Sequence, residues 1–177
     1  MPEEIYPVEL TAPDIEPYRK GNIGIDFVTS FDSGKPGPHV MINAITHGNE
    51  VCGAIALDYL FRANVRPTHG KLTLGFVNHL AYSNFDPDNP GLSRFVDEDF
   101  NRVWTEDRLD GLEVTAELRR ARELRPVFDT VDLLLDIHSM GTYSKPLMIC
   151  NGLKKEREFT VDVNFPAHIM CGSGHII

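Results

Sequence analysis

Val40-Met41-Ile42-Asn43-Ala44-Ile45-Thr46-His47-Gly48-Asn49-Glu50-Val51 joins an apolar run to the start of a helix-like one. Val40 to Ile45 is apolar and rich in β-branched residues, has no helical period, and reads as a strand. From Val51 to Phe61 or Arg62 the spacing of Ala54, Leu57 and Leu60 or Phe61 predicts a helix with one apolar side. His47 and Glu50 therefore lie three residues apart at a strand-to-helix turn, where they can close on one ion. Imidazole and carboxylate suit Zn²⁺, and a catalytic zinc needs three protein ligands and a water. With seven histidines in the chain, His-x-x-Glu arises by chance in roughly one such chain in two. Alone, the tetrad reads equally well as a helix-capping loop.

Working outward, Val131-Asp132-Leu133-Leu134-Leu135-Asp136-Ile137-His138-Ser139 is a second buried-looking strand that ends in polar residues. His138 stands at its carboxyl end, where α/β proteins place functional groups. It is the candidate third ligand. Strand period puts Asp136 on the same side as His138, where it can hold the far ring nitrogen and fix the tautomer. A surface loop beginning at Asp136 is the plainer alternative. Between the two strand ends lies Arg94-Phe95-Val96-Asp97-Glu98-Asp99-Phe100-Asn101-Arg102, in a long polar stretch with Pro87, Pro90 and Gly91. Long loops in compact domains are usually functional or disordered. Arg94 and Arg102 are candidate carboxylate clamps, because guanidinium pairs with carboxylate through two hydrogen bonds. Otherwise both would pair with Asp97, Glu98 and Asp99 on the surface.

The order His-x-x-Glu, then Arg followed eight residues later by Arg of an Asn-Arg pair, then Asp-x-His, resembles the succinylglutamate desuccinylase/aspartoacylase family. The resemblance runs from about Gly37 to the Met148 region. It implies an α/β three-layer sandwich with a mixed, largely parallel sheet, like that of the zinc carboxypeptidases. It also implies a zinc-dependent deacylase cleaving the amide of an N-acyl amino acid. His47, Glu50 and His138 would be the zinc ligands, one ion per chain. Arg94 would polarise the scissile carbonyl and stabilise the oxyanion, and Asn101 and Arg102 would bind the substrate carboxylate. The family's Asp-Leu-Asn-Arg is here Asp99-Phe100-Asn101-Arg102, a change at an apolar position. In the family a general-base Glu follows further along the chain than Ile177, as does a smaller covering domain. The later acids here, Glu156, Glu158 and Asp162, lie in a charged stretch that reads as a solvated loop or helix. The expectation is thus a piece of a longer protein, near-inactive by itself. A carboxypeptidase acting on peptides, or a non-catalytic metal- or small-molecule-binding module, remain alternatives.

The rest of the chain fits an enzyme core. A net charge of -9 argues against nucleic acid and anionic membranes as partners, and the small anionic substrate is what the resemblance implies. No apolar run is long enough to span a bilayer, and the N-terminus lacks the basic start of a signal peptide. Cys52, Cys150 and Cys171 read as free thiols in a reducing cytoplasm. Cys52 is assigned to helix packing. A homo-oligomer is left open. Residues 1–20, with four prolines, read as an extended arm, and 21–177 as the catalytic domain. Strands are expected over 23–31, 72–78 and 146–150, and the first should form a hairpin with the 40–46 strand across the Asp32-to-Gly37 turn. Glu113 to Phe128 is the clearest helix, with Pro126 expected to kink or stop it. Ala167 to Ile177 reads as a strand and turn. His39, His69, His79, His168 and His175 are given surface or hydrogen-bonded core roles, with His79 the one best placed to approach the site.

Overall fold

The computed structural model describes residues 8–172. The chain forms two compact units, Met1–Ser139 and Met140–Ile177. The first contains β1 (Val28–Asp32), β2 (His39–Ala44), α1 (Val51–Arg62), β3 (Lys71–Phe76), α2 (His79–Tyr82), α3 (Glu106–Leu109), α4 (Ala116–Phe128) and β4 (Leu133–Ile137). Its four strands run in the order β1-β3-β2-β4. β2 is parallel to both β3 and β4, and β1 is antiparallel to β3.

β2 is central because it has apolar side chains for both faces. On one face Ala44 joins Leu72, Leu74 and Phe76 against Ala54 and Leu57 of α1. On the other, Met41 joins Val28 and Val77 against Leu118, Ala121 and Leu124 of α4. Helix, sheet and helix make the expected three layers. Each of the Leu, Val, Met and Phe side chains among them stabilises the fold by about 1.5–3 kcal/mol on burial.

The expected hairpin between the first two strands does not form. β1 pairs with β3 instead. The turn after β1 docks on the turn before β3, where Ser33 donates to the Gly70 carbonyl and Gly70 to that of Lys35. The breakers at 32–37 mark a chain reversal without dictating the partner, and a central β2 needs parallel neighbours on both sides. The first strand is also shorter than expected, because 23–26 form bends and turn. Among the described residues β4 pairs with β2 alone, and Leu134 is exposed. α4 runs through Pro126 to Phe128. In the last turn the ring forgoes one backbone hydrogen bond and crowds the carbonyl one turn back, and only two residues follow it in the helix. In the segment expected as an arm, Glu16–Tyr18 form a 3-10 turn and Ile15 is buried in the core.

The second unit holds β5 (Leu147–Cys150), α5 (Lys154–Val163) and β6 (His168–Cys171), with the two strands parallel. The charged stretch from Lys154 is thus a helix, and the expected strand after Ala167 is β6. The rest of that tail, 173–177 with His175, lies outside the described residues, as does the start of the arm. In α5, Glu156 accepts a hydrogen bond from the backbone of Leu153, and Glu158 pairs with Lys154.

Candidate metal centre

The strand order reverses at β2: the chain leaves it for β3 on one side and later returns to β4 on the other. The carboxyl ends of β2 and β4 are therefore neighbours, with Ala44 beside Ile137. Clefts at such reversals are where parallel sheets bind ligands. Just past β2, Ile45 takes a left-handed conformation, φ 56°, which is rare for a β-branched residue and turns the chain sharply. Gly48 follows because nothing larger fits: a Cβ there would lie 2.3 Å from the Ser93 carbonyl oxygen.

His47, Glu50 and His138 meet at this seam. One ligand atom from each lies within 4.8 Å of the others, so the group could hold a metal ion. Nδ1 of His47 is 2.8 Å from Oε1 of Glu50, and Nδ1 of His138 is 2.8 Å from Oε2. Ser139 donates its backbone N–H to Oε2 as well. The far nitrogens are also engaged. Nε2 of His138 bonds Asp136 at 2.8 Å, and Nε2 of His47 lies 3.2 Å from Asp99. Asp136 is steadied in turn by the Thr46 hydroxyl, 2.9 Å from both its oxygens.

Burial works against charge at these groups, and their partners overcome it. The hydrogen bonds and charges of His138 and His47 hold the Glu50 carboxyl down at about 2. Burial would lower His138, yet Asp136 and Glu50 raise it to about 10.

Of the loop residues, Arg94 is brought to the cluster. Its Nη2 is 3.0 Å from His47 Nε2 and 3.4 Å from Asp99, and its Nη1 is 3.6 Å from Glu50. Asn101 and Arg102 lie on the 3-10 turn Phe100–Arg102, capped by Asp99. The Arg102 side chain is exposed and has no ion-pair partner among the described residues. Surface pairing thus applies to Arg94 with Asp99, while Glu98 is taken by Arg108.

His79 does not join the cluster. It stacks on Phe27 at 4.5 Å, and burial, then the charges of Arg120 and Arg19, press its pKa down to about 4. His39 bonds Thr130 and Thr73, and His69 and His168 are exposed. Cys52 packs in α1 with its thiol toward the His138 carbonyl. Asp99 and Thr46 were not foreseen as supports of the cluster. Asp99 stands inside the Asp-Phe-Asn-Arg pattern, and that position was its only signal.

No curated protein matches the chain in sequence. Solved structures match its fold. An aspartoacylase family protein from Mesorhizobium loti aligns at 22% identity and TM-score 0.57, over 83% of this chain and 46% of that one. A mutant of murine aminoacylase 3 aligns at 22% and 0.58, over 77% and 47%. A succinylglutamate desuccinylase/aspartoacylase from Rhodobacter sphaeroides aligns at 24% and 0.55, over 77% and 40%. The chain spans about half the length of these structures or less. The sequence model of the succinylglutamate desuccinylase/aspartoacylase catalytic domain matches residues 36–170, which takes in all three candidate ligands and the arginine loop. The chain belongs to the succinylglutamate desuccinylase/aspartoacylase catalytic-domain family.

Proposed function

We propose that His47, Glu50 and His138 hold one Zn²⁺, and that in the whole protein this centre serves hydrolysis of the amide bond of a small anionic N-acyl amino acid. The observation that carries the reading is the closure of three ligand atoms to within 4.8 Å, with a carboxylate behind each imidazole. Two imidazoles and a carboxylate suit zinc and leave a position open. When bound, the metal supplies Lewis acidity and a water acidified to a pKa of about 7.

The chain's own residues orient and bind. Arg94, beside the cluster and partly exposed, offers its guanidinium to the carbonyl oxygen of the scissile amide, where charge grows during reaction. Such a contact is commonly worth about 3 kcal/mol. Arg102, with no carboxylate of its own, takes the substrate carboxylate together with Asn101. Glu50, Asp99 and Asp136 are all occupied in holding histidines. Following the family resemblance, we assign proton transfer to a Glu further along the whole protein, and the chain by itself should turn over little. Three free cysteines fit a reducing cytoplasm as the setting, and assembly into homo-oligomers stays compatible with this reading.

Metal analysis of the purified chain and of His47→Ala tests the core of the proposal. Close to one zinc per wild-type chain, lost on substitution, is the expected result. Equal zinc in both proteins would sink it. In a protein of the relatives' length, release of the free amino acid from N-acetyl-aspartate or N-succinyl-glutamate tests the reaction.

A further inference from the structure

Glu117 is a carboxylate with no exposed surface and no ion-pair partner among the described residues. A buried carboxylate must be repaid by hydrogen bonds. It receives four. Oε1 accepts from the backbone N–H of Val96 at 2.7 Å and from the Asn78 amide at 3.3 Å. Oε2 accepts from the N–H groups of Asp97 at 3.0 Å and Glu98 at 3.3 Å. Every partner is a donor. A Gln at this position would turn its own N–H₂ against the two donors of one oxygen.

The bonds are returned in the other direction. Asp97 accepts from the backbone N–H of Ala116 at 2.7 Å, and Glu98 from the Thr115 hydroxyl at 2.7 Å. Residues 94–99 lie in no helix or strand, so these contacts supply partners that secondary structure does not. The two ends of the segment are tied to the metal cluster. The Arg94 carbonyl accepts from Gly48, and Asp99 meets His47.

We propose that Glu117 is a positioning residue: its carboxylate, planted on α4, fixes the backbone of 96–98 and so aims Arg94 on one side and Asn101–Arg102 on the other. For its effect on substrate this rests on the deacylase reading above; the clamp itself does not. A misplacement of about 1 Å at a binding group can cost on the order of 100-fold, so a residue that never meets the substrate can govern its affinity.

Amide hydrogen exchange on the zinc-loaded chain tests the clamp without any variant. The N–H groups of Val96, Asp97 and Glu98 should exchange as slowly as those of α4. Exchange as fast as at Leu112, which is 99% exposed, overturns the proposal. In Glu117→Gln, protection at 96–98 should fall by about tenfold or more, corresponding to loss of one charge-assisted bond. Zinc affinity should fall less than affinity for substrate, since no ligand is touched and only the Asp99 contact behind His47 is loosened. Affinity of the zinc-loaded variant for N-acetyl-L-aspartate should fall by about tenfold. Unchanged affinity for that ligand with the 96–98 amides opened overturns the positioning role. If wild type itself fails to bind N-acetyl-L-aspartate, the substrate reading falls, and the amide exchange still decides the clamp.

Discussion

An imidazole that offers one nitrogen to a metal must carry its hydrogen on the other, and Asp136 is what selects that form of His138. Nδ1 turns to Glu50 and Nε2 to Asp136, both acceptors, so the ring without a metal meets both sides as imidazolium, and a metal on Nδ1 leaves the hydrogen on Nε2, toward Asp136. Asp136→Asn keeps the shape and weakens the acceptor. Zinc affinity, measured by competition with a chelator, should drop by about 10–100-fold; an unchanged value would remove Asp136 from the centre. His79 carries a second residue-level consequence. Its ring is held near a pKa of 4 rather than 6.5, with Asp26 and Glu123 only partly offsetting burial, Arg120 and Arg19. The unfolded chain therefore takes up the proton first, and stability falls as the pH drops from about 6.5 toward 4. Thermal melts across that window should converge for wild type and His79→Gln at the acid end; parallel curves would refute the assignment. His47, Glu50, Asp136 and His138 were legible because their spacing follows from local strand and turn geometry. Asp99 was not, since its partner His47 is 52 residues away and no local pattern marks such a contact.

Among the elements, α4 does most to connect core and site. Its apolar stripe covers one face of the sheet, its first turn carries Glu117, and Thr115 caps it by accepting from the Leu118 N–H. The same hydroxyl donates to Glu98 in the arginine loop. Thr115→Ala removes both bonds. A loss of about 1–2 kcal/mol is expected from the cap, read as a lower midpoint in urea at unchanged slope. A midpoint shifted by less than the error would show that the cap is dispensable. Helical period made α1 and α4 visible in sequence, as an apolar, β-branched run did for β2. Partner choice was less legible. The breakers after β1 are the same whether the next strand pairs beside it or one place further on, and the apolar run of β4 does not reveal that among the described residues only one edge of it is paired. Those outcomes depend on which strand can fill the centre of the sheet, a property of the set rather than of any one segment.

At the scale of the molecule, the first unit is a three-layer sandwich whose cluster of candidate ligands lies on one seam, between β2 and β4. Among the described residues β4 has a neighbour on one side only. His47 and Glu50 belong to the turn after β2, and His138 to the residue after β4. An ion shared by these three residues is then also a fastener, joining distant parts of the chain much as a disulfide would and closing a long loop whose entropy otherwise favours release of the edge. Its contribution grows with metal activity, reaching about 2.7 kcal/mol at a hundred times the dissociation constant. Chelation should therefore unzip the sheet from one side, with the amides of Leu133–Ile137 exchanging faster while those of β1 and β3 hold. Uniform loosening of all four strands would show that the ion does not brace this edge. A metal held there would thus be a structural rivet as well as a reagent.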